Sequence, residues 1–400
     1  MRTHHLLLLF VLFSLSCRKK GDPPPVPGAI SGPLNFCMGE QGVTYSVAPV
    51  DGCDYYVWSV PDDALIATGQ GSTTITVNFG AHSGNVCVRS SNNKAQSDPS
   101  CLAVTEGCVP GGWCRRPDVF AIGRSYAASF SIGSKGYIST GYLGTASIND
   151  LWEYDPSART WTQKTSLPAN SRWGACGFSI GFKGYIALGM YSVDLPDLWE
   201  WDQASNTWTQ RSNFPGAARH SAVAFTIGTK AYITTGKNYN NTAFYQDTWE
   251  WDQNTDTWTQ KANFPGGQRY GAVGFSIGNK GYTGTGMDNS ANLHNDLWEF
   301  DPLANTWTAK QNLPAQARQE ASAFTIGNKG YITTGRLLNN SQLADLWEYD
   351  PSADSWTQKN SLPGGGHNAC TGFSIGTSGF LGCGYNPGNN PINELWEYKQ

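Results

Sequence analysis

Six glutamates recur immediately after a tryptophan: Glu153, Glu200, Glu250, Glu299, Glu348 and Glu397. Taken singly, each carboxylate could serve as a general acid or base. Their sixfold recurrence argues against that use. A ligand touches repeated units unequally, so a residue present in every copy belongs to the scaffold. The same logic covers Arg124, Arg172, Arg219, Arg269 and Arg318, a series that His367 breaks in the sixth copy. Chemistry is expected where the copies disagree. The position after each Arg reads Ser125, Trp173, His220, Tyr270, Gln319 and Asn368. A second variable position reads Tyr142, Met190, Lys237, Met287, Arg336 and Tyr385. Trp173 is the one tryptophan after residue 108 that falls off the repeat lattice. The binding candidates are Trp173, His220, Tyr270, Glu320, Arg336, Lys237, Tyr142 and Tyr385. Aromatic faces beside amide, cationic and carboxylate groups suit a sugar or an extended peptide.

The elements that position these residues follow from the repeat. The tryptophans before the six glutamates, from Trp152 to Trp396, are spaced by 47, 50, 49, 49 and 49 residues. A period near fifty on strand-like aromatic segments predicts a radial array of small β-sheets. In the first copy four strands are expected: SFSI at 129–132, YISTG at 137–141, DLWEY at 150–154 and TWTQK at 160–164. Gly- and Pro-bearing turns separate them. Six copies of the third strand occur, but only five fourth-strand tryptophans follow one. The segment WCRRPDVF (113–120) matches WTQKTSLP (161–168), 48 residues upstream, and is expected to supply the missing strand. Residues 112–116 would then pair with the last sheet and close a ring of six, removing its free edges. With strands alternating up and down, the two variable positions share one rim, where recognition is expected.

These motifs resemble the kelch repeat of galactose-oxidase-like β-propellers over nearly three hundred residues. One departure stands out. The usual glycine doublet closing the second strand is a single Gly, at 141, 189, 236, 286, 335 and 384. The resemblance implies a six-bladed propeller over 108–400, used either as a binding platform or as an enzyme. Galactose oxidase-type copper chemistry needs two His, two Tyr and a Cys joined to one of those Tyr. This region holds only His220, His294 and His367, with no thiol evidently placed among them. A sugar-modifying enzyme of the N-acetylneuraminate epimerase type needs only an acid/base pair, for which Glu320 with Arg336 or His220 could serve. No nucleophile elbow, phosphate loop, zinc pair or dinucleotide fingerprint occurs. A non-enzymatic binding protein with a glycan or protein ligand, no cofactor and no metal is the expected class.

Residues 28–106 lack the period. Their short alternating runs, among them YYVWSV (55–60), TTITVNF (73–79) and NVCVRS (85–90), predict a small antiparallel sandwich with Trp58 in its core. YYVWSVP, GQGSTTITVNFG and GNVCVRSSNN resemble PKD-like, immunoglobulin-like domains, which act as spacers. At the start, Arg2 and the apolar run Leu6–Leu15 read as a signal peptide over 1–16, too short to span a bilayer. Ser16–Cys17 resembles the lipobox of a bacterial lipoprotein, which implies acylation of Cys17, a tether over 17–27 and an exported protein of the outer membrane, periplasmic or surface-facing. A net charge of −4 without a basic stripe argues against nucleic acid as partner, and a monomer is expected. With Cys17 acylated, nine cysteines remain; Cys53–Cys87, Cys37–Cys101 and Cys108–Cys114 are conceivable pairs, and Cys176 is expected to be a buried thiol. Cys370 and Cys383 are expected to be diagonal neighbours across a hairpin.

Overall fold

The computed structural model of the chain describes residues 22–119 and 122–400. The expected signal peptide over 1–16 and Cys17 therefore lie outside the described residues. The chain divides into two units at Gly107–Cys108. No helix long and apolar enough to cross a membrane occurs among the described residues.

The first unit is a two-sheet sandwich. One sheet is built from Asn35–Phe36, Ser100–Glu106, Gly84–Ser91 and Tyr55–Ser59, the other from Val43–Ser46, Thr74–Asn78 and Leu65–Thr68. Period-two alternation turns Tyr45, Trp58, Ile75, Val77, Val86 and Val88 into a shared core. Trp58 also satisfies its indole by donating to the Ser72 carbonyl at 2.8 Å. Cys87 is bonded to Cys101, because the ladder sets them directly opposite with Cα atoms 4.1 Å apart. That pairing overturns both Cys53–Cys87 and Cys37–Cys101. The Cys108–Cys114 reading also falls, since Cys108 keeps a thiol that points to the Glu397 carbonyl at 3.6 Å.

In the second unit, the described residues form six four-stranded antiparallel sheets whose innermost strands contact each other in a closed circuit. The sixth sheet takes its outer strand, Trp113–Arg116, from the start of the unit, with Trp113 opposite Tyr398 and Arg116 opposite Leu395. Trp113 behaves as its counterparts do. Its indole donates to the Asn360 carbonyl of the preceding sheet at 2.9 Å, as Trp208 donates to Thr165 and Trp356 to Gln311.

Sheet-to-sheet packing explains the K-G-Y motif. The Phe of one sheet's first strand stacks on the Tyr of its second, as Phe130 on Tyr137 at 5.0 Å. The same Phe lies against the motif glycine of the next sheet, so a Cβ at Gly184 would strike the Phe130 ring. The recurring glutamates are structural. Glu200, for example, accepts from Tyr185 at 2.9 Å and from Arg211 at 2.8 and 3.0 Å. In the sixth sheet Arg116 of the borrowed strand takes that role, 2.7 Å from Glu397.

Each Arg of the recurring series grips the Asp that opens the third strand, as Arg172 does Asp197 through two bonds of 2.5 and 2.8 Å. The same Asp accepts the Trp199 indole. Where Arg becomes His367, Asp becomes Glu394, 3.5 Å away. The arginine also resolves the missing glycine. Both positions of the doublet are left-handed, with Leu188 at φ 61° and Gly189 at φ 100°. Non-glycine residues are costly there, at about 1–2 kcal/mol each. Arg172 offsets this by donating to the Leu188 carbonyl at 2.9 Å, and Arg219, Arg269 and Arg318 repeat the contact. One permissive residue is thus not all that the crossing requires.

Partial burial pushes the Asp197, Asp247 and Asp345 carboxyls up, but the facing guanidinium outweighs it and leaves each below its ordinary value. The His367 hydrogen bond, against some burial, holds Glu394 at about 2. All four bind a proton less tightly folded than unfolded. Their stabilisation is therefore complete above the ordinary carboxylate range and is lost as pH falls through the folded values. Thermal denaturation should give a Tm that is flat above about pH 5 and drops steadily toward pH 2; a Tm at pH 3 equal to that at pH 7 would contradict the clamp.

Candidate functional site

The two variable positions meet at one rim. Ser125 bridges Tyr142, Trp173 bridges Met190, His220 bridges Lys237, Gln319 bridges Arg336 and Asn368 bridges Tyr385, while Tyr270 pairs with Met287. The following position in each sheet, Tyr126, Gly174, Ser221, Gly271, Glu320 and Ala369, surrounds the mouth of the central channel. All six are left-handed, with φ between 51° and 63°. Their backbones form a closed belt. Gly174 N donates to Tyr126 O at 3.0 Å, Ser221 to Gly174 at 2.8 Å, Gly271 to Ser221 at 3.2 Å, Glu320 to Gly271 at 2.8 Å, Ala369 to Glu320 at 2.9 Å, and Tyr126 to Ala369 at 3.0 Å.

Four of the six belt side chains are small. The two large ones meet across the channel, where the Tyr126 hydroxyl donates to Glu320 Oε1 at 2.6 Å. Glu320 is only 6% exposed and also accepts from Asn368 Nδ2 at 2.8 Å and from Arg336 Nη2 at 3.3 Å. Burial and the adjacent carboxylate push the Tyr126 phenol far above its usual range, so it remains a donor. Two buried amide oxygens, Gln319 Oε1 and Asn368 Oδ1, have no hydrogen-bond partner at this mouth.

The eight sequence candidates fall into two groups. Trp173, Tyr142 and Tyr385 line an open cup of about 710 Å³ together with Tyr126, Tyr191 and Tyr239. Trp173 lies at its centre, 5.1 Å from the Tyr126 ring and 6.4 Å from that of Tyr142. Glu320 and Arg336 form the polar cluster over the channel. Lys237 sits 3.5 Å over the Tyr270 ring, and burial lowers its ammonium below the ordinary lysine range. Tyr270 is buried, which pushes its phenol up to about 12. His220 sits beneath Trp173, edge-on at 4.8 Å, with Nδ1 held 2.8 Å from Asp194. His220 and Tyr270 are thus supports of the cup and cluster rather than exposed surface. Among the described residues no three His, Cys, Asp or Glu side chains converge on one metal position.

Comparison with known families fits this architecture. Residues 23–104 match the PKD-like domain model, and residues 210–379 match the model described as the KLHDC2/KLHL20/DRC7 Kelch-repeats domain. The chain carries a PKD-like domain and a kelch-repeat propeller. Among solved structures, the one titled "Structure of YjhT" superposes with a TM-score of 0.61 at 16% identity, covering 70% of this chain and 95% of that one. At that identity the likeness concerns the fold alone. No curated protein sequence matches the chain.

Sequence reasoning missed Tyr126, the partner that closes the kelch channel over Glu320. The signal was present one residue beyond the variable position, where four small residues stand beside Tyr126 and Glu320. Cys370 and Cys383 lie just beyond Thr371 and Gly382, the last paired residues of their ladder, and both keep their thiols. Cys176 is a buried thiol pointing to the Ala222 carbonyl at 3.5 Å. Tyr126→Phe removes one donor from the buried Glu320 carboxylate and should cost about 1–3 kcal/mol of stability. Urea denaturation against wild type measures it, and an unchanged midpoint would show that the bond contributes nothing.

Proposed function

We propose that this protein is a non-enzymatic binding protein that presents the irregular propeller rim to a glycan or protein ligand. The observation that carries the reading is the open aromatic cup around Trp173, lined by residues of the sixth, first, second and third sheets. Variable side chains on a rigid frame are the usual basis of recognition. The rival reading is a sugar-modifying enzyme of the N-acetylneuraminate epimerase type, with Glu320 as its acid/base. Glu320 sits at the channel mouth, but Tyr126, Arg336 and Asn368 already engage it. That engagement favours a positioning role over proton transfer. Glycan and peptide arrays probed with wild type and Trp173→Ala test the proposal. Signals are expected to fall at least about tenfold in the variant, a loss of ~1.4 kcal/mol; signals that survive intact remove the cup from the function.

We further propose that acylated Cys17 anchors the chain to the outer membrane as a monomer, with residues 17–27 as a spacer and the PKD-like unit as a stalk. The support is the Ser16–Cys17 junction after an apolar run and the three consecutive prolines that follow. Cys17→Ser should move the expressed protein from the membrane pellet to the soluble fraction. A pellet that keeps the variant would refute the anchor.

A further inference from the structure

The cup has a composition that narrows its ligand. Its lining contains no Asp, Glu, Asn, Gln, Lys, Arg or His; it offers six aromatic rings, Met190, Ala146 and the hydroxyl residues Thr145, Ser147 and Ser171. The rings are not stacked. Trp173 is inclined 51° to Tyr126 and 54° to Tyr142, and Tyr385 stands at 76° to Tyr126, so several faces wall one space. Tyr191 and Tyr239 continue the wall at the rim and stand 53% and 49% exposed.

Resting on the reading of this rim as the binding face, we propose that the cup takes an organic cation: a quaternary or methylated ammonium group. An aromatic face carries negative potential at its centre, and several faces around one cation add. Such a group needs no directed hydrogen bonds, and the cup supplies no charged or amide partner for them. Two further contacts favour positive charge. The Tyr126 hydroxyl donates to the Glu320 carboxylate, which shifts electron density onto the phenol and strengthens its face. Asp194 stands at the edge of the cup, its Oδ2 accepting from the Tyr239 backbone at 2.6 Å. The nearby cations are turned away, Lys237 over Tyr270 and Arg336 against Glu320. The cup is larger than a trimethylammonium group, so part of the carrier enters with it.

Calorimetric titration of the full chain with choline chloride tests this, alongside 3,3-dimethylbutanol, the uncharged isostere, at matched ionic strength. Choline should bind at least about tenfold more tightly than the isostere. Trp173→Ala should lose at least about tenfold in choline affinity, while Trp173→Phe retains part of it. Equal binding of choline and isostere, or no choline heat across the millimolar range, overturns the proposal with wild-type protein alone. A trimethyl-lysine peptide and phosphatidylcholine vesicles, run in parallel, identify the carrier. If choline fails while array signals still depend on Trp173, only the cation assignment falls; if neither depends on Trp173, the binding face falls too.

Discussion

The belt of six backbone hydrogen bonds at the channel mouth is the constraint on which the rest of the propeller depends. Each amide donates to the carbonyl of the preceding sheet, and the sixth returns to the first. A belt of this kind requires one left-handed residue per sheet, because only that conformation turns N–H and C=O along the ring. Two of those residues are glycine and one each is serine and alanine. The other two bear the side chains that bond to each other across the opening. Strain of about 1–2 kcal/mol at Tyr126 and again at Glu320 is held in place by a ring that cannot relax one member without breaking two bonds.

Outside the belt, the same closure recurs through different chemistry. Arginine–aspartate clamps hold the second and third strands of five sheets, phenylalanines lie against glycines of the next sheet, and tryptophan indoles reach back to the previous one. The His367–Glu394 pair shows that the clamp is a unit, since both partners change together. This regular frame leaves only the loop positions at one rim free to differ.

Much of this was legible in the sequence. The period of Trp152 to Trp396 and the match of Trp113 to Trp161 gave strand positions and the pairing of the borrowed strand, because each rests on local patterns repeated many times. Loop pairing followed from strand alternation. What the sequence hid was conformational or relational. Left-handed φ at Thr140 or Leu188 has no residue signature when glycine is absent. The Tyr126–Glu320 bond joins residues 194 apart in the chain and becomes visible only once the ring is closed. The sandwich disulfide depended on strand register, which spacing alone does not determine.

The borrowed strand has a kinetic corollary. Arg115 meets Glu394 across 279 residues of chain, and nothing nearer in sequence can complete that sheet. Until Leu395–Lys399 is available, Trp113–Arg116 is a strand without its neighbour and the sixth sheet presents a bare edge to any other chain. Assembly should therefore be slow for a protein of this size, governed by its longest-range encounter rather than by the quick hairpins around it. A chain so built needs its open edge shielded while it folds, and its yield is decided by how long that seam stays open.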